Sequence, residues 1–247
     1  MKIIREIMGR IFATWGLIWF IVTMLLFFIP FLLFSYFLPD PKRNIRFIKM
    51  SRVWMKIYLT LVGCPLKVKG KENFKKGESY IVICNHNSFM DIPISSPAIP
   101  GGNKTIAKVE LAKVPLFGLL YKTGSVLVDR KSDASRKESY IKMKETLNMG
   151  LHMCIYPEGT RNTGSEPLRP FHDGAFKLAV NSGKSIIPAL IFYTRGILPS
   201  NKIFYFWPHH MEIHFLPPVE PLPDETHTQL KEKAFNLMKD YYIANNH

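Results

Sequence analysis

The sequence predicts an α/β domain, a largely parallel mixed sheet flanked by helices, preceded by a helical segment embedded in a membrane. Three observations predict it. Short apolar runs at 80–84, 105–107, 124–128, 151–156, 186–193 and 211–216 alternate with longer stretches of helical character, the pattern of a parallel sheet with helical crossovers. Residues 11–38 carry no charge and are rich in Phe, Leu, Ile and Trp, whereas a membrane span needs about 20 apolar residues. Thirty-three Lys and Arg against 19 Asp and Glu give a net charge of +14, which calls for an anionic partner: a membrane surface, nucleic acid or an acidic substrate. A chain of 247 residues holds one large domain with an appendage. We divide it into membrane-anchoring helices at 1–63 and an α/β domain at 64–247.

The uncharged run has Lys2, Arg5 and Arg10 before it and Lys42, Arg43, Arg46, Lys49, Arg52 and Lys56 after it. Basic residues favour the cytoplasmic side, and here both flanks are basic. Pro30 lies inside and disfavours a continuous helix. The expected arrangement is a segment that enters one leaflet, turns and returns. From 42 to 62 the spacing predicts an amphipathic helix. Its stripe of Lys42, Arg46, Lys49, Arg52 and Lys56 holds no acid and suits an anionic lipid interface; Gly63-Cys64-Pro65 ends it. A short strand at 66–68 and a polar loop at 70–77 lead to strand 80–84. Asp91 and Pro93 suit the start of a helix, with Asp91 as its cap. Strand 105–107, a short helix at 111–121 interrupted by Pro115 and Gly118, and strand 124–128 follow. A polar helix at 134–149, strand 151–156, a helix at 173–181 stopped near Gly183, strands 186–193 and 211–216 and a C-terminal helix at 224–244 complete the chain. Cys64, Cys84 and Cys154 have no metal-ligand spacing and read as buried reduced thiols.

Two loops carry the candidate chemistry. After strand 80–84 comes Asn85-His86-Asn87-Ser88-Phe89-Met90-Asp91. On a helix, His86 and Asp91 would stand about 140° apart, and on a strand they would face opposite ways. They meet only if the chain turns between them, which Asn85, Asn87 and Ser88 favour. Asp91 then fixes one imidazole tautomer and leaves the other nitrogen as a base. A histidine satisfied within an ordinary loop is the bland alternative. After strand 151–156 comes Pro157-Glu158-Gly159-Thr160-Arg161. Ligands of open α/β sheets bind beyond the carboxyl ends of strands, where both loops and Arg130 lie. Gly159 permits an unusual backbone conformation or a close ligand approach. Arg130 and Arg161 offer planar forks for a phosphate, with Glu158 placed to direct the fork of Arg161.

The 85–91 stretch resembles the His-x4-Asp motif of the glycerolipid acyltransferases, and Tyr156-Pro157-Glu158-Gly159-Thr160-Arg161 resembles their Phe-Pro-Glu-Gly-Thr-Arg motif, with Tyr for Phe. The segment from Gly124 to Arg130 resembles their middle motif, Ile186-Ile187-Pro188-Ala189-Leu190 their final one, and Lys108-Val109-Glu110-Leu111 a segment often found between the first two. Order and rough spacing agree across residues 80–192. Size and the N-terminal apolar segment are most similar to the bacterial 1-acyl-sn-glycerol-3-phosphate acyltransferases of the PlsC type.

The resemblance implies a glycerol-3-phosphate acyltransferase-like fold, with 64–247 as the catalytic domain. It implies direct transfer of a fatty acyl group from acyl-ACP or acyl-CoA to the sn-2 hydroxyl of 1-acyl-sn-glycerol 3-phosphate, forming phosphatidic acid. His86 is then the general base and Asp91 its orienter. Lys108, Arg130 and Arg161 hold the phosphate, and Glu158, Gly159 and Thr160 shape that pocket. Backbone amides near Pro188 are candidate oxyanion donors. No metal or cofactor is expected, with the acyl thioester as a substrate. The expected setting is the cytoplasmic membrane, with the catalytic domain on the cytoplasmic face and lipids and the donor carrier as partners, but no nucleic acid. Glycerol 3-phosphate or another lysolipid is the alternative acceptor. A metal-dependent hydrolase built on His86, Asp91 and Glu158 and a non-enzymatic membrane or nucleic-acid binder are the rivals of other classes.

Overall fold

The computed structural model describes residues 2–129 and 131–246. Among these residues seven strands form one sheet: β1 (Leu66–Lys69), β2 (Ile81–Cys84), β3 (Asn103–Lys108), β4 (Ser125–Val128), β5 (His152–Ile155), β6 (Ile186–Phe192) and β7 (Met211–Phe215). Their order across the sheet is β1-β7-β6-β2-β5-β3-β4. Every neighbouring pair is parallel except β6 with β7, so β1 and β7 run against the other five. The central strands β2, β5 and β6 are buried at every position, which is why they read as unbroken apolar runs. Edge strand β1 alternates and turns Lys67 and Lys69 outward, a device that discourages edge pairing.

Among the described residues eight α-helices surround the sheet: α1 (Lys2–Phe31), α2 (Lys42–Leu61), α3 (Asp91–Ala98), α4 (Phe117–Thr123), α5 (Asp133–Asn148), α6 (Gly174–Ser182), α7 (Thr194–Ile197) and α8 (His227–Asn245). The expected helix at 111–121 is divided. A tight turn at Val109–Lys113 precedes α4, and Leu116, at φ +60, separates the two. One core lies under α5, α6 and α8. The other joins α1, α2 and α3 to the opposite face of β2, β5 and β6. Packing therefore does not follow the division drawn at residue 63. Within α2, Asn44 and Ile48 are wholly buried, and the Asn44 amide donates to the carbonyls of Asn103 (2.9 Å) and Thr123 (3.3 Å). Lys42, Arg46, Lys49 and Lys56 of the basic stripe are exposed. Arg52 is turned inward instead, and its guanidinium donates to the carbonyls of Pro97, Ile99 and Gly101.

The uncharged run does not turn back on itself. α1 passes through Pro30 and continues into a wider π-type turn at Leu32–Tyr36, an accommodation found where the regular ladder is interrupted; the return is made by α2. This helix is long and apolar enough to cross a membrane, with a mean hydropathy of 2.7 in its best window. Its inner stripe of Gly9, Ala13, Gly16 and Thr23 is buried, and small residues there allow close approach. Trp54 stacks on Phe27, lies tilted against Phe20 and donates to the Thr23 hydroxyl at 2.9 Å. Trp15 donates to the carbonyl of Leu61 at 2.9 Å. The outer side exposes Ile3, Ile4, Ile7, Ile11, Ile18 and Leu26.

Candidate active site

β2 ends at Cys84, and the chain turns through 85–90 before α3 begins. Asn85 holds the start of this turn. Its side-chain amide donates to the carbonyl of Ile191 (3.0 Å) and accepts from the N–H of Ile191 (2.7 Å), extending the β2–β6 ladder with a side chain. The turn brings His86 Nδ1 to 2.9 Å from Asp91 Oδ2. The same carboxylate oxygen accepts the N–H groups of Asn87 (2.6 Å) and Ser88 (2.7 Å), and Oδ1 accepts the hydroxyl of Thr194 (2.6 Å). Asp91 is wholly buried. It is the first residue of α3, preceded by Met90, so it is not the helix cap; its carboxylate is committed to the loop and the imidazole. A carboxylate can only accept, so the proton of the neutral ring belongs on Nδ1. Nε2 is thereby left as an acceptor on a side chain that is 13% exposed. That pairing is the arrangement of a general base held by an orienting acid.

Tyr156 lies beside the imidazole, with ring centroids 4.5 Å apart and planes inclined at 35°. Its hydroxyl pairs with Ser95 Oγ at 2.7 Å, which satisfies the oxygen that Tyr adds over Phe. Burial pushes that phenol well above its usual range. Below, the Sγ atoms of Cys84 and Cys154 stand 3.8 Å apart, both wholly buried. The Cys84 thiol is raised by its hydrogen bond with Cys154 and by burial, so it is a poor nucleophile.

The second loop corrects the expectation for Glu158. Its carboxylate does not direct the fork of Arg161. One oxygen accepts the N–H of His86 (2.8 Å) and the other the N–H of Arg169 (3.0 Å). At 2% exposure it is a buried tie between the two motif loops. Burial raises its pKa against the lowering effect of those two amides. Asn162 completes the tie by donating its N–H to the carbonyl of His86 at 2.6 Å. Gly159 has φ +69, and a Cβ there would lie 2.7 Å from the His172 ring, so both reasons for glycine hold: an unusual backbone and a close approach. Thr160 is exposed. The Arg161 guanidinium sits 3.7 Å over the ring of Phe89, which places it beside the His86 loop.

Lys108 ends β3, two strands from β2, about 10 Å across the sheet at ordinary strand spacing. It is exposed, and alternation puts it on the same side of the strand as Ile106. Among the described residues no hydrogen bond or ion pair joins it to His86, Glu158 or Arg161, so the structure does not bring it to the imidazole. Arg130 lies outside the described residues. The amides near Pro188 sit within the paired part of β6, where Pro188 opposes Ile83 and Ala189 opposes Cys84; they are sheet, not oxyanion donors. No three His, Cys, Asp or Glu side chains among the described residues converge as metal ligands.

Three contributors escape sequence reasoning. Thr194 and Arg195 follow β6 directly, and Tyr193 at φ +69 turns the chain so that the Thr194 hydroxyl meets Asp91. Arg195 donates to the carbonyls of Asn162 (2.9 Å) and Gly164 (2.9 Å) and to Asn87 Oδ1 (3.3 Å), stapling the two loops. Tyr242 of α8 lies close to the Asn87 side chain. Position just past a central strand was the signal available for the first two; nothing local marks Tyr242.

A cavity of about 490 Å³ opens beside these loops. Phe89 and Arg161 form one end, Ala13, Gly16 and Leu17 of α1 one wall, and residues 198–200 and 202–206 the other. An apolar slot with one guanidinium matches an amphiphile with an anionic head.

A family described as Acyltransferase matches residues 65–192. A protein of Borreliella burgdorferi named 1-acyl-sn-glycerol-3-phosphate acyltransferase is 33% identical over 156 residues, 63% of this chain and 62% of its own length. One of the same name from Saccharomyces cerevisiae is 32% identical over 202 residues, 77% of this chain and 64% of its own. The human protein named the alpha form is 30% identical over 185 residues, 72% of this chain and 62% of its own. The chain thus spans somewhat under two thirds of the length of these curated relatives. The crystal structure of the 1-acyl-sn-glycerophosphate acyltransferase PlsC from Thermotoga maritima superposes with a TM-score of 0.79 at 25% identity, covering 99% of this chain and 97% of that one.

Proposed function

The chain belongs to the acyltransferase family, and from that premise we propose that it acylates the sn-2 hydroxyl of 1-acyl-sn-glycerol 3-phosphate to give phosphatidic acid. The observation that carries this reading is the juxtaposition, beyond the carboxyl ends of the central strands, of a base oriented by a buried carboxylate, a guanidinium and an apolar slot beside α1. The relatives' shared name supports the same acceptor.

His86 Nε2 removes the hydroxyl proton as that oxygen attacks the thioester carbonyl carbon. The tetrahedral intermediate collapses, the C–S bond breaks, and the leaving thiolate takes the proton back from the imidazolium. Asp91 stabilises the charged ring in between. Arg161, with Arg130 as the second candidate, binds the acceptor phosphate. Fixing the phosphate holds the hydroxyl against Nε2, so much of the rate gain is positional. Lys108, exposed at the end of β3, is a third candidate for the same phosphate. Either acyl-ACP or acyl-CoA serves as donor, and the donor is a substrate rather than a cofactor.

The acceptor and product are lipids, and extracting each from a bilayer would cost about 0.8 kcal/mol per methylene. A catalytic domain bound at the cytoplasmic face of the membrane avoids that cost. The outer face of α1 and the exposed Lys42, Arg46, Lys49 and Lys56 support this placement.

The test is acyl transfer by purified protein. The acceptors are lysophosphatidic acid, glycerol 3-phosphate and a lysophospholipid, each with both donors, using wild type and His86→Ala. Transfer to lysophosphatidic acid that disappears in His86→Ala is the expected result. Preference for either other acceptor, or full activity without the imidazole, would sink the proposal. A labelled acyl group trapped on the protein would refute direct transfer.

A further inference from the structure

The segment between β6 and β7 leaves the site and crosses over the N-terminal half of α1. At its tip Ile203 is 88% exposed and the adjacent Phe204 48%. Phe204 also has φ +49, a left-handed conformation that bulky residues avoid. Two large apolar side chains held outward on a disfavoured backbone are not a loose loop, because the flanking residues are tied down. Arg10 donates to the carbonyl of Ile203 at 3.4 Å, and the ammonium of Lys202 meets the carboxylate of Glu6. The N–H of Phe206 donates to the carbonyl of Gly9 at 3.0 Å, and that of Trp207 to Ile197 at 2.9 Å. Tyr205 packs so tightly on Gly9 that a Cβ there would lie 2.1 Å from its ring.

The surroundings indicate what the tip meets. Ile3, Ile4 and Ile7 of the adjoining helix are each more than half exposed, so the apolar surface is continuous with the outer face of α1. Arg5, Arg10 and Lys202 are basic, and Glu6, the acid among them, is paired with Lys202. Apolar side chains ringed by cations match an anionic leaflet. Residues 198–200 and 202–206 are also a wall of the cavity that ends at Phe89 and Arg161.

We propose that residues 199–206 are a second bilayer-contact element, which inserts Ile203 and Phe204 into the leaflet met by the outer face of α1 and so holds the mouth of the slot at lipid level. The use of the slot rests on the acceptor reading above; the insertion does not.

The probe is an environment-sensitive fluorophore on Ile203→Cys of the full chain. Cys64, Cys84 and Cys154 are buried and stay unlabelled. On reconstitution into vesicles of phosphatidylglycerol and phosphatidylcholine, its emission should shift to the blue. Lipids spin-labelled on the acyl chain should quench it several-fold more than a label on Lys76→Cys, in the exposed loop before β2. A second arm measures partition of Ile203→Asp and Phe204→Asp between vesicles and buffer, expected to weaken roughly tenfold or more. A label as wet and as unquenched as the Lys76→Cys control would overturn the proposal. So would unchanged partition of both Asp variants while Ile7→Asp weakens it, or a label buried by a co-purifying protein but not by lipid. None of these readouts uses acyl transfer, so an inactive enzyme with an inserted tip would count against the function alone.

Discussion

Glutamine at position 158 distinguishes a tie between loops from a wall of the phosphate pocket. Each oxygen of Glu158 accepts one main-chain N–H, from His86 at 2.8 Å and Arg169 at 3.0 Å. A glutamine side chain has one acceptor, and its NH2 group would face the second N–H. At 2% exposure water does not replace the lost partner. Losing a hydrogen bond to a charged acceptor costs about 1.5–3 kcal/mol, and an orphaned buried donor about 1–3 kcal/mol. Removing a buried charge offsets part of this, for a net loss of roughly 2–3 kcal/mol of stability. The backbone of His86 loosens, and a misplacement near 1 Å lowers kcat by up to about a hundredfold, with little change in KM for the acceptor.

The pH dependence gives an independent check. Burial raises the folded pKa of Glu158 above its ordinary 4.5. Its contribution is therefore fully present below pH 4.5 and is lost as pH rises through the folded value. Glutamine removes that dependence, so the gap between wild type and Glu158→Gln should be wider near pH 4.5 than at neutrality. Denaturant unfolding in micelles at both pH values and steady-state kinetics measure these effects. Unchanged stability together with a raised KM for the acceptor would place Glu158 in the phosphate site and refute the reasoning.

Three further outcomes are expected. Thr194→Val leaves Asp91 Oδ1 without its 2.6 Å partner, costing about 1.5–3 kcal/mol and lowering kcat; Thr194→Ser should restore both, and a Val variant that matches wild type would remove Thr194 from the site. His152 is buried among Tyr80, Phe74 and Arg52, and burial pushes its pKa from 6.5 down to about 4. Its folded value is depressed below the unfolded one, so its contribution is present above pH 6.5 and is lost as pH falls through about 4, a loss of about 3 kcal/mol at 1.36 kcal/mol per unit; His152→Gln, which keeps an acceptor for the N–H of Tyr80, should flatten unfolding stability over that range. Cys84→Ala should keep most activity while His86→Ala and Asp91→Asn lose nearly all of it, and an inactive but folded Cys84→Ala would reopen a covalent route.

Most strands were legible because each central one is a short apolar run, buried on both faces, followed by polar turn residues. His86 and Asp91 were legible for a related reason. Their pairing depends on a six-residue turn whose own Asn and Ser residues favour it, so the geometry is local. Lys108 illustrates the limit of position alone. It stands at a strand end like the others, yet no hydrogen bond or ion pair among the described residues joins it to the two motif loops. Arg52 illustrates the limit of periodicity. It belongs to the basic stripe by spacing, but three carbonyls at the end of α3 and just beyond it draw it inward.

Composition and local pattern were enough for an α/β sheet, a long apolar helix and a base with its orienting acid, since each of these is set by neighbours in the chain. Only the tertiary structure could decide that Glu158 grips main-chain amides, that Thr194 caps the far oxygen of Asp91, and that α1 runs unbroken along the domain. Those choices join residues 11 to 103 positions apart, and a buried polar group takes whichever partner the fold places within 3 Å because leaving it unpaired costs more than any local preference.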